Sequence, residues 1–271
     1  MPCRGRRHQA EIGTNRRDCL MRVTLLGTGA PLSPTRNTTG LIVSAPGCEP
    51  LLIDTCGGFE VARAIVGAGF KLTDIGNVVL THRHFDHIGG MMALYLANQP
   101  LNVMASADTL EAVAAVKAAA FPEWPLHSGV RHVEVRSGQR TEVGGFTLEL
   151  IAVEHRVPTL ALRLAANGRS IGFSADTLPC SALDAVARDA DLFICDAICA
   201  EADGEIAATK AKQLMHPNAR EAGEAARRGG AGKLVCVHIG RFGSPEKIHE
   251  EAARAFAGPV QVPDDGTVIE V

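Results

Sequence analysis

The sequence predicts an α/β layered fold on three observations. Short apolar runs alternate with helical stretches, turns rich in Gly, Pro and Ser separate them, and one buried run leads straight into a histidine cluster. Strand patterns fall at 22–26, 40–44 and 51–54, and a short amphipathic helix over 59–67 ends on glycine. Residues 77–81 read as a buried strand. A helix begins at Asp108, with Glu111 placed for a capping box, and runs to Phe121. Strands follow at 146–153, 160–165 and 170–174; Asn167-Gly168 joins the last two as a hairpin turn, because both residues tolerate positive φ. The C-terminal part alternates helix 182–188, strand 192–195, helix 218–228, strand 233–237 and helix 245–255. The chain thus has two β-rich portions, each followed by helices. Without a clear repeat, low-complexity segment or linker after Met21, residues 21–271 are expected to form a single domain.

Composition narrows the function classes. A hydrophobic fraction of 46% suffices for a full core, and no run approaches the roughly 18 apolar residues of a membrane helix. The net charge of -3 argues against a dedicated nucleic-acid binder, whose footprint is a basic face. Eight cysteines are scattered without a CxxC pair, which reads as reduced, buried thiols in a cytoplasmic protein. Residues 1–20 carry Arg4, Arg6, Arg7, Arg16 and Arg17 among polar neighbours, with no apolar signal-peptide stretch. They read as a disordered extension, or as a matter of start-codon choice with Met21 the functional beginning.

Chemistry concentrates in Thr81-His82-Arg83-His84-Phe85-Asp86-His87, between the buried strand and the pair Gly89-Gly90. Residues two apart on extended backbone point the same way, so His82 and His84 can converge on one ion. Asp86 and His87, at the turn, can face a second position beside it. Neutral imidazoles with a carboxylate are ligands that zinc and its neighbours prefer. A single histidine here would pass as an ordinary polar residue; three with an aspartate in six positions do not.

This HxHxDH run resembles the metallo-β-lactamase superfamily, which implies a four-layer αββα sandwich with a dinuclear site between its sheets. The resemblance extends in order to His155, Asp176 and His238, each just after a strand pattern. It implies His82, His84 and His155 on the first metal, Asp86, His87 and His238 on the second, and Asp176 bridging. Two zinc ions are the expected cofactors, with manganese or iron able to take the same ligands. Asp54 matches the superfamily's early strand-end aspartate, expected to support the histidine loop by hydrogen bonding.

Within the superfamily the sequence is most similar to ribonuclease Z-like enzymes. Leu26-Gly27-Thr28-Gly29-Ala30-Pro31, with Arg36-Asn37 after it, resembles their N-terminal glycine turn. Ser174-Ala175-Asp176-Thr177 resembles their Ser-Gly-Asp-Thr, with Ala175 in place of glycine. Asp196 and His216 resemble their Glu and His pair that handles a proton near the leaving group, with Asp replacing Glu. Ribonuclease Z proper inserts a tRNA-gripping arm between the third histidine and the bridging aspartate. Here His155 and Asp176 stand only 21 positions apart, which leaves no room for it.

The expectation is a dinuclear hydrolase in which a metal-bridging hydroxide attacks, Asp86 ligates and orients it, and His216, steered by Asp196, protonates the leaving group. A small or nucleotide-like phosphodiester is the first substrate choice. Lactone, ester, thioester or aryl sulfate hydrolysis follows, then an endonuclease maturing tRNA 3′ ends, with nucleic acid the less favoured partner. A different class, the sulfur dioxygenases, places one iron behind the same motif. Dimers are common in related enzymes, so a homodimer is allowed. Trp124 reads equally as a pocket wall or a surface anchor, His127 and His132 as ordinary surface residues, and Arg241-Phe242 as a place to meet an anionic substrate.

Overall fold

A computed structural model describes residues 21–271; the expectation for residues 1–20 lies outside the described residues. The first half runs β1 (Arg22–Gly27), β2 (Gly40–Ser44), β3 (Leu51–Ile53), α1 (Glu60–Gly67), β4 (Asn77–Val79), α2 (Phe85–Ile88), α3 (Met91–Leu96), β5 (Leu101–Ala105), α4 (Ala107–Ala120) and β6 (Val130–Glu134). The second runs β7 (Arg140–Val143), β8 (Phe146–Val153), β9 (Thr159–Ala166), β10 (Arg169–Phe173), α5 (Ser181–Ala187), β11 (Leu192–Asp196), α6 (Glu205–Leu214), α7 (Ala219–Gly229), β12 (Leu234–Val237), α8 (Pro245–Phe256), β13 (Val260–Gln261) and β14 (Val268–Glu270).

The strands make two seven-stranded sheets, ordered β14-β1-β2-β3-β4-β5-β6 and β13-β12-β11-β10-β9-β8-β7. In the first, pairing is antiparallel up to β3 and parallel from β3 to β6. In the second it is antiparallel from β7 to β10 and parallel from β10 to β13. The hairpin at Asn167-Gly168 is present, with both residues at positive φ and Ala166 paired to Arg169.

Three apolar layers hold this αββα sandwich together. Val23, Leu41 and Ile53 of one sheet meet Phe146, Leu148 and Leu162 of the other in the central core. Residues alternating with them face outward: Ile42, Leu52 and Val78 pack against Val61, Met91 and Val113 of α1, α3 and α4. Phe193, Leu234 and Cys236 do the same under Leu183, Ala222 and Ile248 of α5, α7 and α8. Central strands are buried on both faces, which explains their unbroken apolar runs. Each fully buried large side chain contributes roughly 1.5–3 kcal/mol of transfer free energy.

One expectation needs correction, and one left open is narrowed. The helix expected from Asp108 begins earlier: Ser106 is its cap, its hydroxyl accepting from the Thr109 amide. The Asp108 carboxylate instead lies 3.3 Å from Arg83, inside the histidine loop, and Glu111 takes no capping part. Trp124 sits half-exposed in the loop after α4, away from the cavity described below.

The histidine loop is fixed by backbone contact with the segment after β3. The Thr55 amide donates to the His87 carbonyl at 2.7 Å, and the Gly90 amide to the Cys56 carbonyl at 3.2 Å. A Cβ at position 90 would lie 1.9 Å from the Thr55 carbonyl oxygen, so only glycine admits this approach.

Candidate metal centre

The seven expected ligand residues come together where strand ends of both sheets face each other. The His82 Nε2 lies 3.0 Å from the His84 Nδ1, and the His155 Nε2 lies 3.2 Å from that same atom. Ligand atoms around a tetrahedral zinc, with bonds of about 2.0–2.1 Å, are separated by about 3.3 Å. Beside this triad, an Asp176 carboxylate oxygen lies 3.2 Å from the His87 Nε2 and 3.4 Å from the His238 Nε2. Asp86 approaches the His87 Nε2 at 3.4 Å. Two groups could therefore each hold a metal ion: His82, His84, His155 and Asp176, and Asp86, His87, Asp176 and His238.

The far side of each ring determines what faces the centre. Thr81 donates its hydroxyl hydrogen to Asp54 at 2.8 Å, so its oxygen is left to accept from the His82 Nδ1–H at 3.0 Å. His87 donates its Nδ1–H to the same Asp54 oxygen at 2.7 Å, and His155 donates its own to the Met215 carbonyl at 3.2 Å. Thr39 occupies the Nδ1 of His238 at 2.8 Å. The Nε2 lone pairs of His82, His87 and His155 are thus aimed inward, and the His87 Nε2 is buried without a hydrogen-bond partner. Converging lone pairs repel unless a cation sits among them, so this donor set fits divalent metal. Asp54, fully buried, is the hub behind it: it also accepts from the Thr81 amide at 2.8 Å.

The electrostatics match at four of the five histidines, and at His87 the neighbouring carboxylates draw a positive charge instead. Burial pushes His82, His84, His155 and His238 down, the last two to about 4, which keeps their lone pairs free. Burial acts the same way on His87, but Asp176, Asp86 and Asp54 outweigh it and push it well up. Asp176 and Asp86 are held below the carboxylate range: burial opposes this, and the surrounding histidines prevail.

On the rim, the His216 Nδ1 lies 2.6 Å from Asp196, and both residues are buried. Burial disfavours a protonated His216, yet the Asp196 carboxylate raises it above the usual histidine value. The ring stacks on His238 at 4.9 Å between centroids and leans on His155 at 5.2 Å.

A cavity of about 630 Å³ opens beside the centre. Its walls are largely apolar, with Leu32, Ile198, Leu214 and Phe242 among the lining residues, while Arg156, Lys210 and Arg241 add positive charge. The wall from α6 was not anticipated. Its sequence, Glu205-Ile206-Ala207-Ala208-Thr209-Lys210, looks like solvated surface, and only Ala207 and Ala211 of the helix are buried. The Arg241-Phe242 pair was anticipated as a substrate contact, and both residues line the cavity.

This fold and site define a metal-dependent hydrolase. The chain belongs to the beta-lactamase superfamily: residues 50–239 match its domain family. Among curated proteins it is similar to ribonuclease Z of Mycobacterium bovis, 29% identical over 280 aligned positions, covering 93% of this chain and 99% of that protein. Among solved structures it resembles the metallo-beta-lactamase fold protein YhfI of Bacillus subtilis, with TM-score 0.81 and 24% identity over 93% of this chain and 100% of that one. Zinc-bound PqqB of Methylobacterium extorquens is also similar, with TM-score 0.73 and 18% identity over 92% and 100% of the two chains.

Proposed function

We propose that the chain is a dinuclear phosphodiesterase acting on a small or nucleotide-like phosphodiester. The observation that carries this is the pairing of two ligand groups through Asp176 at the floor of a cavity with three cations in its lining. His82, His84 and His155 would hold one ion, Asp86, His87 and His238 the other, with Asp176 facing both. Zinc suits the imidazole-rich set, and manganese or iron can take it. Two such ions supply a nucleophile available at neutral pH and a Lewis acid for the developing charge.

The chain's own groups do the rest. Asp86 has one oxygen toward His87 and lines the cavity, placed to orient the attacking water. His216, with its Nδ1 held by Asp196, carries the proton for the leaving-group oxygen on Nε2. The buried carboxylate keeps that imidazole protonated until the oxygen needs it. Arg156, Lys210 and Arg241 attract an anion, which favours a phosphodiester over a neutral lactone or ester.

A small substrate suits the hairpin of β9 and β10, which takes up the stretch between His155 and Asp176. The alignment along nearly the whole of a ribonuclease favours an RNA end as second reading. The test is hydrolysis of a nitrophenyl phosphodiester by zinc- or manganese-loaded protein, with Asp176→Ala as the blank. Turnover lost in the variant is expected. No turnover from protein with two metals per chain would overturn this substrate class, and lactones, thioesters, aryl sulfates and precursor RNA would be assayed next.

A further inference from the structure

Resting on the phosphodiesterase reading, we infer that the cavity carries a second phosphate subsite, built by Arg156 and Lys210. The substrate is then a nucleotide-like diester bearing another phosphate away from the bond that breaks.

Both cations converge on one residue. Arg156, just after His155, donates from Nη2 to the Gln213 backbone carbonyl. Lys210, one turn earlier on α6, donates from Nζ to the Gln213 Oε1 at 3.2 Å. Both partners are neutral oxygens. Among the described residues neither cation pairs with a carboxylate, and the carboxylates lining the cavity, Asp86 and Asp176, belong to the metal centre. What sets these two apart is that they share one residue as partner at the edge of the cavity. Two like charges held together and left uncompensated beside an apolar wall are a ready receptor for a dianion. The guanidinium offers a planar fork and the ammonium a point charge, both suited to phosphate.

The rest of the cavity lining suits the rest of such a ligand. Ile198, Leu214 and Phe242 give apolar surface for a base or sugar face, and about 630 Å³ is within the range for a molecule of nucleotide size. One phosphate at the metals and one at Arg156 and Lys210 thus bracket an uncharged body.

The experiment is calorimetric titration of zinc-loaded protein with a nucleoside 3′,5′-bisphosphate and with the matching 5′-monophosphate. Neither contains a diester, so binding is read apart from turnover. The bisphosphate is expected to bind roughly tenfold or more tightly, and Lys210→Met and Arg156→Gln are each expected to bring that ratio down several-fold. Lys212→Met, on the same helix and exposed like Lys210 but off the cavity, should keep it. Equal binding of the two nucleotides to the unsubstituted protein, or a bisphosphate advantage surviving both substitutions, would overturn the subsite. An intact advantage in protein that hydrolyses no diester would support the subsite and remove the phosphodiesterase reading instead.

Discussion

The two halves of the molecule use one device differently. In each sheet, pairing changes from antiparallel to parallel at one strand, β3 in the first and β10 in the second. Each of these strands leads into an aspartate followed by threonine, Asp54-Thr55 and Asp176-Thr177. Each exit passes through a left-handed residue, Asp54 at φ 54 and Ala175 at φ 52. There the likeness stops. Asp54 is saturated by hydrogen-bond donors, namely the Thr81 amide and hydroxyl and the His87 ring. Asp176 meets inward-facing imidazole nitrogens, of His82, His87, His155 and His238, at 3.2–3.9 Å. A buried carboxylate surrounded by donors becomes scaffolding; one surrounded by lone pairs is available to a cation.

Substitutions can break that comparison at either end. Asp176→Ala should have the largest effect, lowering phosphodiester turnover by roughly a thousandfold or more and reducing bound metal below two per chain. Turnover and metal content measured together check it. His216→Ala should come next, with a loss of roughly a hundredfold or more on a diester with a poor leaving group and little on a nitrophenolate diester. Equal losses on both substrates would remove its role as proton donor. Asp54→Ala acts from behind the rings, so metal affinity should fall by about 10–100-fold, read by competition with a chelator. An Asp54→Ala loss as deep as that of Asp176→Ala would erase the distinction between the two aspartates. Thr39→Val should have the smallest effect, a several-fold weakening of metal binding, because His238 keeps its position between packed strands and loses one hydroxyl partner.

How much of this was legible follows from where information is local. His82, His84, Asp86 and His87 share one loop, so their spacing is visible in the sequence. Central strands such as Leu51-Leu52-Ile53 announce themselves as apolar runs because both faces are covered. The edge strands β6 and β7, Val-Arg-His-Val-Glu and Arg-Thr-Glu-Val, went unread because their exposed faces are polar, as sheet edges tend to be. Helix α3, Met-Met-Ala-Leu-Tyr-Leu, is buried almost all round and shows no period. The cation pair at Gln213 was hidden for another reason. Arg156 and Lys210 are far apart in sequence and meet only because the end of α6 folds back over the turn after β8.

That fold-back joins two properties usually adjusted separately. Lys210 and Leu214 on α6 face the cavity, while Met215, at φ 66, turns its carbonyl onto His155, and the next residue is His216. Backbone that shapes ligand space therefore also steadies His155 and His216, the proposed metal ligand and proton donor. Anyone seeking altered substrate range by randomising α6 should find many variants failing through lost metal rather than changed selectivity. Exposed positions such as Ile206 and Lys212, which leave that carbonyl alone, are the ones where sequence can drift without cost.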